Sequence, residues 1–288
     1  MVKHVIPHSY REALELIKSN DFMVIAGGTD LMVQHRSGAD LPPKFPKDII
    51  YLANLKELNY ITTDAKYIHI GSMTTLEQMA NSPLIPTLFK QVILDIASPG
   101  IRHLATIAGN IGNASPAGDT LVYLYAVGAK IVLESVDEIR ILEISQVITG
   151  PKITIIQPNE VIKEILIPIN KHTVEKWVKV GTRKADAISK VSFVGLASYE
   201  DDTITSFSIA LGAIYKTVLC SQEINQIMIG MRRNEIEKNS SQIISKFEPL
   251  IQPITDQRST DRYRKQVSIN LIKDFLKSLM KENPYGNS

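Results

Sequence analysis

Two adjacent glycines, Gly27 and Gly28, end a short apolar run and are followed at once by a hydroxyl and a carboxylate, in Val24-Ile25-Ala26-Gly27-Gly28-Thr29-Asp30-Leu31. The run from Phe22 to Ala26 predicts a buried strand, since it is too short for a helix. Paired glycines permit positive φ and remove the side chains that would hold a ligand away. Successive N–H groups can then point into one concavity, which is how backbone binds a pyrophosphate. Thr29 suits an N-cap for a helix over Asp30 to His35, whose N-terminus would face the same anion. A plain glycine turn between two elements accounts for this stretch equally well when it is taken alone.

A second stretch tips that balance. Ala105-Thr106-Ile107-Ala108-Gly109-Asn110-Ile111-Gly112-Asn113-Ala114-Ser115-Pro116-Ala117-Gly118-Asp119 holds three glycines, two asparagines and a closing carboxylate. So many small and polar residues do not make a packed core strand. They predict a backbone that bends closely around a ligand, with Asp119 placed to accept bonds from ribose hydroxyls. Two such loops predict a grip on one long nucleotide from opposite sides.

The rest of the chain narrows the function classes. At 288 residues it exceeds the usual one-domain length of ~100–200 residues, so two or three lobes are expected. A net charge of +2 gives no electrostatic footprint for nucleic acid or a membrane surface. No apolar run reaches the ~20 residues of a membrane span, and Met1 to Tyr10 lacks a signal-peptide core. Cys220 is the single cysteine, so the chain builds no disulfide, zinc cage or iron–sulfur cluster from its own thiols. These features predict a cytoplasmic protein. The six histidines give no metal constellation: His103 lies beside Arg102, but no second His or Cys stands at ligand spacing.

Taken in order, Ser9 with Glu12 forms a capping-box pattern opening a helix from Tyr10 to Ile17. Ile49 to Leu52 reads as a strand after the proline-rich Leu41 to Pro46 connector. Ile68 to Ile70 predicts another strand, leading to a helix over Leu76 to Ala80 capped by Thr74 or Thr75. Leu84, Leu88, Val92 and Ile96 recur at helical spacing, so Leu84 to Ala97 is expected to be one helix with Pro86 in its first turn. Thr120 to Val127 reads as helix. Lys130 to Leu133, Arg140 to Leu142 and Val161 to Ile167 read as strands. After a boundary at Lys171 to Lys176, strands at Trp177 to Val180, Val191 to Leu196 and Thr205 to Leu211 precede helices at Ser221 to Ile229, Glu235 to Phe247 and Asp261 to Met280.

The two loops in this order, with Gly71-Ser72-Met73-Thr74-Thr75, Ile101-Arg102-His103 and Arg258-Ser259-Thr260-Asp261-Arg262-Tyr263-Arg264 around them, resemble the FAD-binding medium subunits of the molybdenum hydroxylases. That family includes carbon monoxide dehydrogenases, xanthine dehydrogenases and aldehyde oxidoreductases, and the likeness runs along nearly the whole chain. It implies an α+β protein with a PCMH-type, vanillyl-alcohol-oxidase-like FAD-binding fold. Two α/β subdomains, residues 1–55 and 56–170, would clasp FAD, followed by an α+β domain at 171–288. By the same likeness Val24, Ile25, Ala26, Gly27, Gly28, Thr29, Asp30 and Leu31 would cradle the FAD diphosphate from one side. Thr106, Ile107, Ala108, Gly109 and Asn110 would approach from the other, Asp119 would hold the adenosine ribose, and Ile162 would line the adenine end. Lys179 stands where a polar FAD contact is expected, and Trp177 matches an aromatic near the isoalloxazine ring. One departure is clear: the family usually has two glycines where this chain has Ala108-Gly109, so Gly109 is expected to take the demanding conformation.

Several of these residues have a second reading. Trp177 is the only tryptophan and suits interior packing, Lys179 a solvated strand position, and Asp119 the N-cap of the following helix. The resemblance further implies a large molybdopterin subunit and a small subunit carrying two [2Fe–2S] clusters. The assembly would be a heterotrimer or a dimer of heterotrimers. This chain would bring no catalytic side chain and no metal, and would relay electrons through FAD to an external acceptor. Aldehyde oxidation, for example of glyceraldehyde, is the preferred overall reaction; carbon monoxide or purine and heterocycle oxidation are the alternatives within the family. Outside it stand a self-sufficient flavin oxidase and a non-enzymatic nucleotide-binding module.

Overall fold

The computed structural model describes residues 2–38 and 40–280, which divide into two compact units. The first unit comprises residues 1–115 and 128–169, and the second residues 116–127 and 170–288. The segment from Pro116 to Val127 therefore packs with the C-terminal part of the chain.

In the first unit β1 (His4–Val5), β2 (Met23–Ile25) and β3 (Ile49–Tyr51) form a small parallel sheet in the order β1-β3-β2. Helix α1 (Tyr10–Ser19) joins β1 to β2. The Ser9 hydroxyl accepts from the Glu12 N–H, while the Glu12 carboxylate reaches back to the His8 N–H at 2.7 Å. Tyr10, Ala13, Leu14 and Ile17 form the buried stripe of α1, packed in one cluster with Phe22, Ile50, Leu52 and Met73. Helix α2 (Leu31–Gln34) follows the glycine pair. Its N-cap is Asp30, one residue later than expected, and no side chain makes a capping bond.

The larger sheet of this unit starts with β4 (Ile61–Thr63) and β5 (Tyr67–Gly71). Helix α3 (Leu76–Asn81) follows with a full capping box between Thr75 and Gln78. The predicted long helix over Leu84 to Ala97 is shorter: α4 spans Thr87–Leu94 with Pro86 as its N-cap. A proline ring is tolerated where no helical N–H is required, and that sets the start. After α4 ends, a short helix α5 (Pro99–Arg102) begins with Pro99 at its first position. Helix α6 (Ile107–Asn113) comes next. Helix α7 (Asp119–Ala126) belongs to the second unit, and the chain then returns through β6 (Lys130–Glu134), β7 (Ile139–Glu143), α8 (Ile144–Val147), β8 (Ile148–Gly150), β9 (Ile153–Thr154) and β10 (Val161–Pro168). The five long-paired strands run antiparallel in the order β4-β5-β10-β6-β7.

The second unit holds an antiparallel sheet of β11 (Val174–Val180), β12 (Val191–Glu200) and β13 (Thr203–Gly212) in that order. Strand β11 starts inside the segment expected to be a boundary. Helices α9 (Gln222–Met228), α10 (Ile236–Phe247) and α11 (Asp261–Leu279) complete it. Phe193, Leu211, Phe247, Ile272 and Phe275 share its core. A Cβ at Gly195 would lie 2.8 Å from the Phe275 ring, so glycine lets that ring lie directly on β12. Helix α7 covers the opposite face, where a Cβ at Gly212 would meet Val122 at 2.6 Å.

Candidate functional site

A cavity of about 420 Å³ opens in the first unit, within the ~300–1,000 Å³ usual for small-molecule sites. Its walls come from the turn after β2, from the start of α6, and from residues 152–162 leading into β10. Gly28 has φ of 70°, which glycine takes without the penalty other residues meet. Gly27 is constrained differently. A Cβ there would lie 1.9 Å from the Leu104 carbonyl oxygen, so glycine is what allows the turn and the approach to α6 to touch backbone to backbone. Among the described residues, the N–H groups of Gly27, Gly28, Thr29 and Asp30 donate to no protein acceptor. Polar N–H groups left without partners beside a cavity are built for an acceptor from outside the chain.

The second predicted loop is a helix in its centre. Thr106 caps α6, its hydroxyl accepting from the Gly109 N–H at 3.1 Å, and Ile107 and Ile111 fall one turn apart into the core. Small residues that read as a ligand-wrapping loop instead let this helix lie close to the turn: a Cβ on Gly109 would come within 3.9 Å of the Ala26 Cβ. Gly109 does not take positive φ, and neither does Ala108. The left-handed residue is Ala114, at φ 46°, where α6 ends and its carbonyl accepts from the Lys152 N–H at 2.9 Å. A side-chain bridge ties the two segments together. The Asn113 amide donates to Asp30 at 2.9 Å and accepts from Gln34 at 2.9 Å.

One cavity brings together Val24, Ile25, Ala26, Gly27, Gly28, Thr29, Asp30, Leu31, Thr106, Ala108, Gly109, Asn110 and Ile162. Ile107 points into the core instead and does not line it. Asp119, Trp177 and Lys179 lie in the second unit. There Asp119 is not the N-cap of α7 but its first residue, with Gly118 as the cap. Its carboxylate is buried and pairs with Lys179 at 2.8 Å while accepting from the Ser189 hydroxyl at 2.6 Å. Lys179 is therefore a buried partner of a carboxylate and not a solvated strand charge. Trp177 pairs across β12 with Val194.

Sequence reasoning missed the wall formed by Lys152, Ile156, Gln157, Pro158 and Glu160, and also Ser72. Glu160 is a buried carboxylate lining the cavity beside the unpaired amides, and its charge is offset locally. Arg140 grips both its oxygens at 2.6 and 2.8 Å, and the Gln157 N–H donates to it at 2.8 Å. Burial pushes the Glu160 carboxyl up, but these partners outweigh burial and hold it below its ordinary value. The chemical character of the cavity is thus a patch of unpaired amides beside an apolar slot of Phe22, Leu52, Met73 and Val161. Those are the parts a dinucleotide needs: amides for the diphosphate and an apolar slot for a ring. The residues present fit FAD.

Known proteins agree with this reading. Residues 1–170 match the FAD-binding domain of molybdopterin dehydrogenases, and residues 176–279 match the C-terminal domain of CO dehydrogenase flavoproteins. The nicotinate dehydrogenase FAD-subunit of Eubacterium barkeri is 31% identical over 217 residues, covering 72% of this chain and 71% of that one. The glyceraldehyde dehydrogenase medium chain of Sulfolobus acidocaldarius is 27% identical over 270 residues, covering 92% and 93%. In fold, a chain of the reconstituted CO dehydrogenase from Oligotropha carboxidovorans superimposes with a TM-score of 0.87 at 21% identity, over 97% of this chain and 98% of that one. The expected α+β fold, an FAD-binding part followed by a CO-dehydrogenase-flavoprotein C-terminal domain, is the one observed. The chain belongs to the FAD-binding medium subunits of the molybdenum hydroxylases.

Proposed function

We propose that the unpaired amides of Gly27 to Asp30 hold the diphosphate of FAD, and that this chain is the electron-exit subunit of a heterotrimeric molybdopterin-dependent hydroxylase. The observation that carries the reading is the set of four N–H groups without protein acceptors, facing a cavity closed by the capped N-terminus of α6. When bound, FAD accepts electrons arriving singly and passes them to an external acceptor. The chain's own part is positional. Backbone amides offset the diphosphate charge, the Asn113 bridge fixes the spacing between turn and helix, and the Arg140–Glu160 pair keeps a carboxylate from opposing the anion. Val24, Ile25, Ala26, Leu31, Thr106, Ala108, Gly109, Asn110 and Ile162 complete the contact surface. Asp119 and Lys179 fix each other as an ion pair within the second unit.

Substrate oxidation then occurs on a large molybdopterin-binding partner, with two [2Fe–2S] clusters on a small partner delivering the electrons. The medium-chain name of the Sulfolobus acidocaldarius relative supports this division of labour. We favour an aldehyde such as glyceraldehyde as substrate, because that relative matches over almost the whole of both chains. Heterocycle hydroxylation is the second reading, favoured by the higher identity, over a shorter stretch, to the nicotinate dehydrogenase subunit. The test is to add glyceraldehyde, and separately nicotinate, to the FAD-loaded chain alone and to the complex purified with its partner subunits. Flavin bleaching by glyceraldehyde only in the complex is expected. Bleaching of the isolated chain would make it a self-sufficient oxidase, and bleaching by nicotinate alone would replace the aldehyde assignment.

A further inference from the structure

Ser72 stands apart among the hydroxyls of the first unit. It lies directly after β5, only 2% exposed, with its N–H donating to the Lys163 carbonyl at 3.0 Å. Its neighbour Thr74 is equally buried, and the Thr74 hydroxyl donates to the Tyr60 carbonyl at 2.9 Å. The Ser72 Oγ, by contrast, has no hydrogen-bond partner, and Ser72 lines the cavity. A buried hydroxyl left unpaired is a net cost to the folded chain, so the group is kept at the expense of stability unless something else satisfies it.

The surroundings identify what would do so. Ser72 is flanked by Met73 and, through the Lys163 carbonyl, by the start of β10, where Val161 and Ile162 also line the cavity. Phe22, Leu52, Met73 and Val161 belong to one apolar core cluster, so the Ser72 hydroxyl lines the cavity together with apolar side chains. A flat aromatic base fits such a lining. A hydroxyl both donates and accepts, which matches a base edge carrying ring nitrogens and an amino group. The isoalloxazine ring has to exchange electrons with groups outside this chain, so this apolar part of the cavity suits the redox-inert ring of the dinucleotide. Resting on the FAD reading above, we infer that Ser72 is a ligand for the adenine of FAD, its hydroxyl hydrogen-bonding the base edge.

The test compares the wild-type chain, stripped of cofactor, with Ser72→Ala. Calorimetric titration with FAD and with ADP measures binding of the adenine-bearing part, while competition by inorganic pyrophosphate against FAD measures the amide site alone. The expected result is about tenfold weaker binding of both FAD and ADP, the size of one lost hydrogen bond, with an unchanged inhibition constant for pyrophosphate. The melting temperature of the cofactor-free variant should stay the same or rise, because the deleted group has no protein partner. A merely structural serine predicts the opposite, a lower melting temperature with unchanged ADP affinity. Unchanged FAD and ADP affinity, or pyrophosphate affinity falling in step with them, overturns the assignment. Failure of the wild-type chain to bind FAD at all overturns the parent reading along with it.

Discussion

Gly27–Gly28 and Gly109–Gly112 look alike in the sequence, yet a methyl group added at each meets very different surroundings. At Gly27 it runs into a backbone carbonyl at 1.9 Å, and at Gly28 it sits on a residue with φ of 70°. At Gly109 it meets the Thr106 hydroxyl at 3.0 Å and the Ala26 Cβ at 3.9 Å, and at Gly112 nothing within 4 Å. The first pair is demanded by the path of the backbone itself. The second pair sits in an ordinary helix whose smallness keeps the cavity wall low. Glycine-rich sequence therefore stands for two distinct physical devices on the two sides of one cavity, a turn that only glycine fits, offering free amides, and a capped helix packed close against it.

Substitutions sharpen that contrast. Gly27→Ala should have the largest effect, since neither the Leu104 carbonyl nor the turn can yield without moving the other. A loss of about 3 kcal/mol in stability is expected from chemical denaturation, together with loss of bound FAD. Gly28→Ala meets only side-chain atoms, at 3.3 and 3.5 Å. Its cost is the left-handed conformation, about 1–2 kcal/mol, and the folded variant should still release FAD more readily. Thr106→Ala removes the cap of α6 and should cost about 1 kcal/mol in the same assay. Gly112→Ala should reverse the sign, stabilising the cofactor-free chain by about 0.5–1 kcal/mol through helix propensity. A destabilising Gly112→Ala together with a harmless Gly27→Ala would reverse the assignment of the two devices.

A pH series supplies a comparison outside both segments. His69 lies between Asp64 and Glu164, at 3.1 Å from each. Burial pulls its pKa down, but the hydrogen bonds and charges of the two carboxylates outweigh burial and leave it raised. A raised folded-state value stabilises the protein fully below the ordinary histidine pKa of about 6.5, and that contribution disappears as pH rises through the folded-state value. Asp64, held down to about 2 by the Lys66 and Tyr67 N–H groups and His69, acts oppositely. Its contribution is present above the ordinary aspartate range and is lost as pH falls towards 2. Melting temperature should thus decline on the alkaline side of pH 6.5 in the wild type and be flatter there in His69→Gln, with the smallest effect of the set.

The sequence shows the strand before Gly27 because its apolar run is short and stops at glycine. It shows α1 through Ser9 and Glu12, and the three C-terminal helices through their apolar spacing. The helical nature of residues 107–113 stayed hidden, because glycine and asparagine weaken helix propensity and only Thr106, Ile107 and Ile111 argue for it. Pro86 moved the start of α4, since the pattern from Leu84 carries no information about where the first N–H can be spared. The wall at 152–162 was unreadable for a different reason. Its residues reach the cavity because β10, which they lead into, pairs antiparallel with β5 and β6, strands distant in the chain. The Asp119–Lys179 pair joins two residues far apart in the chain, so neither the carboxylate nor the ammonium announces its partner.

The central claim is that the turn at Gly27 to Asp30 holds the FAD diphosphate, and flavin content of the purified chain tests it most directly. Absorbance of released flavin should give about one FAD per wild-type chain, and almost none for Gly28→Val purified in folded form as judged by circular dichroism. Stoichiometric FAD in folded Gly28→Val would contradict the account.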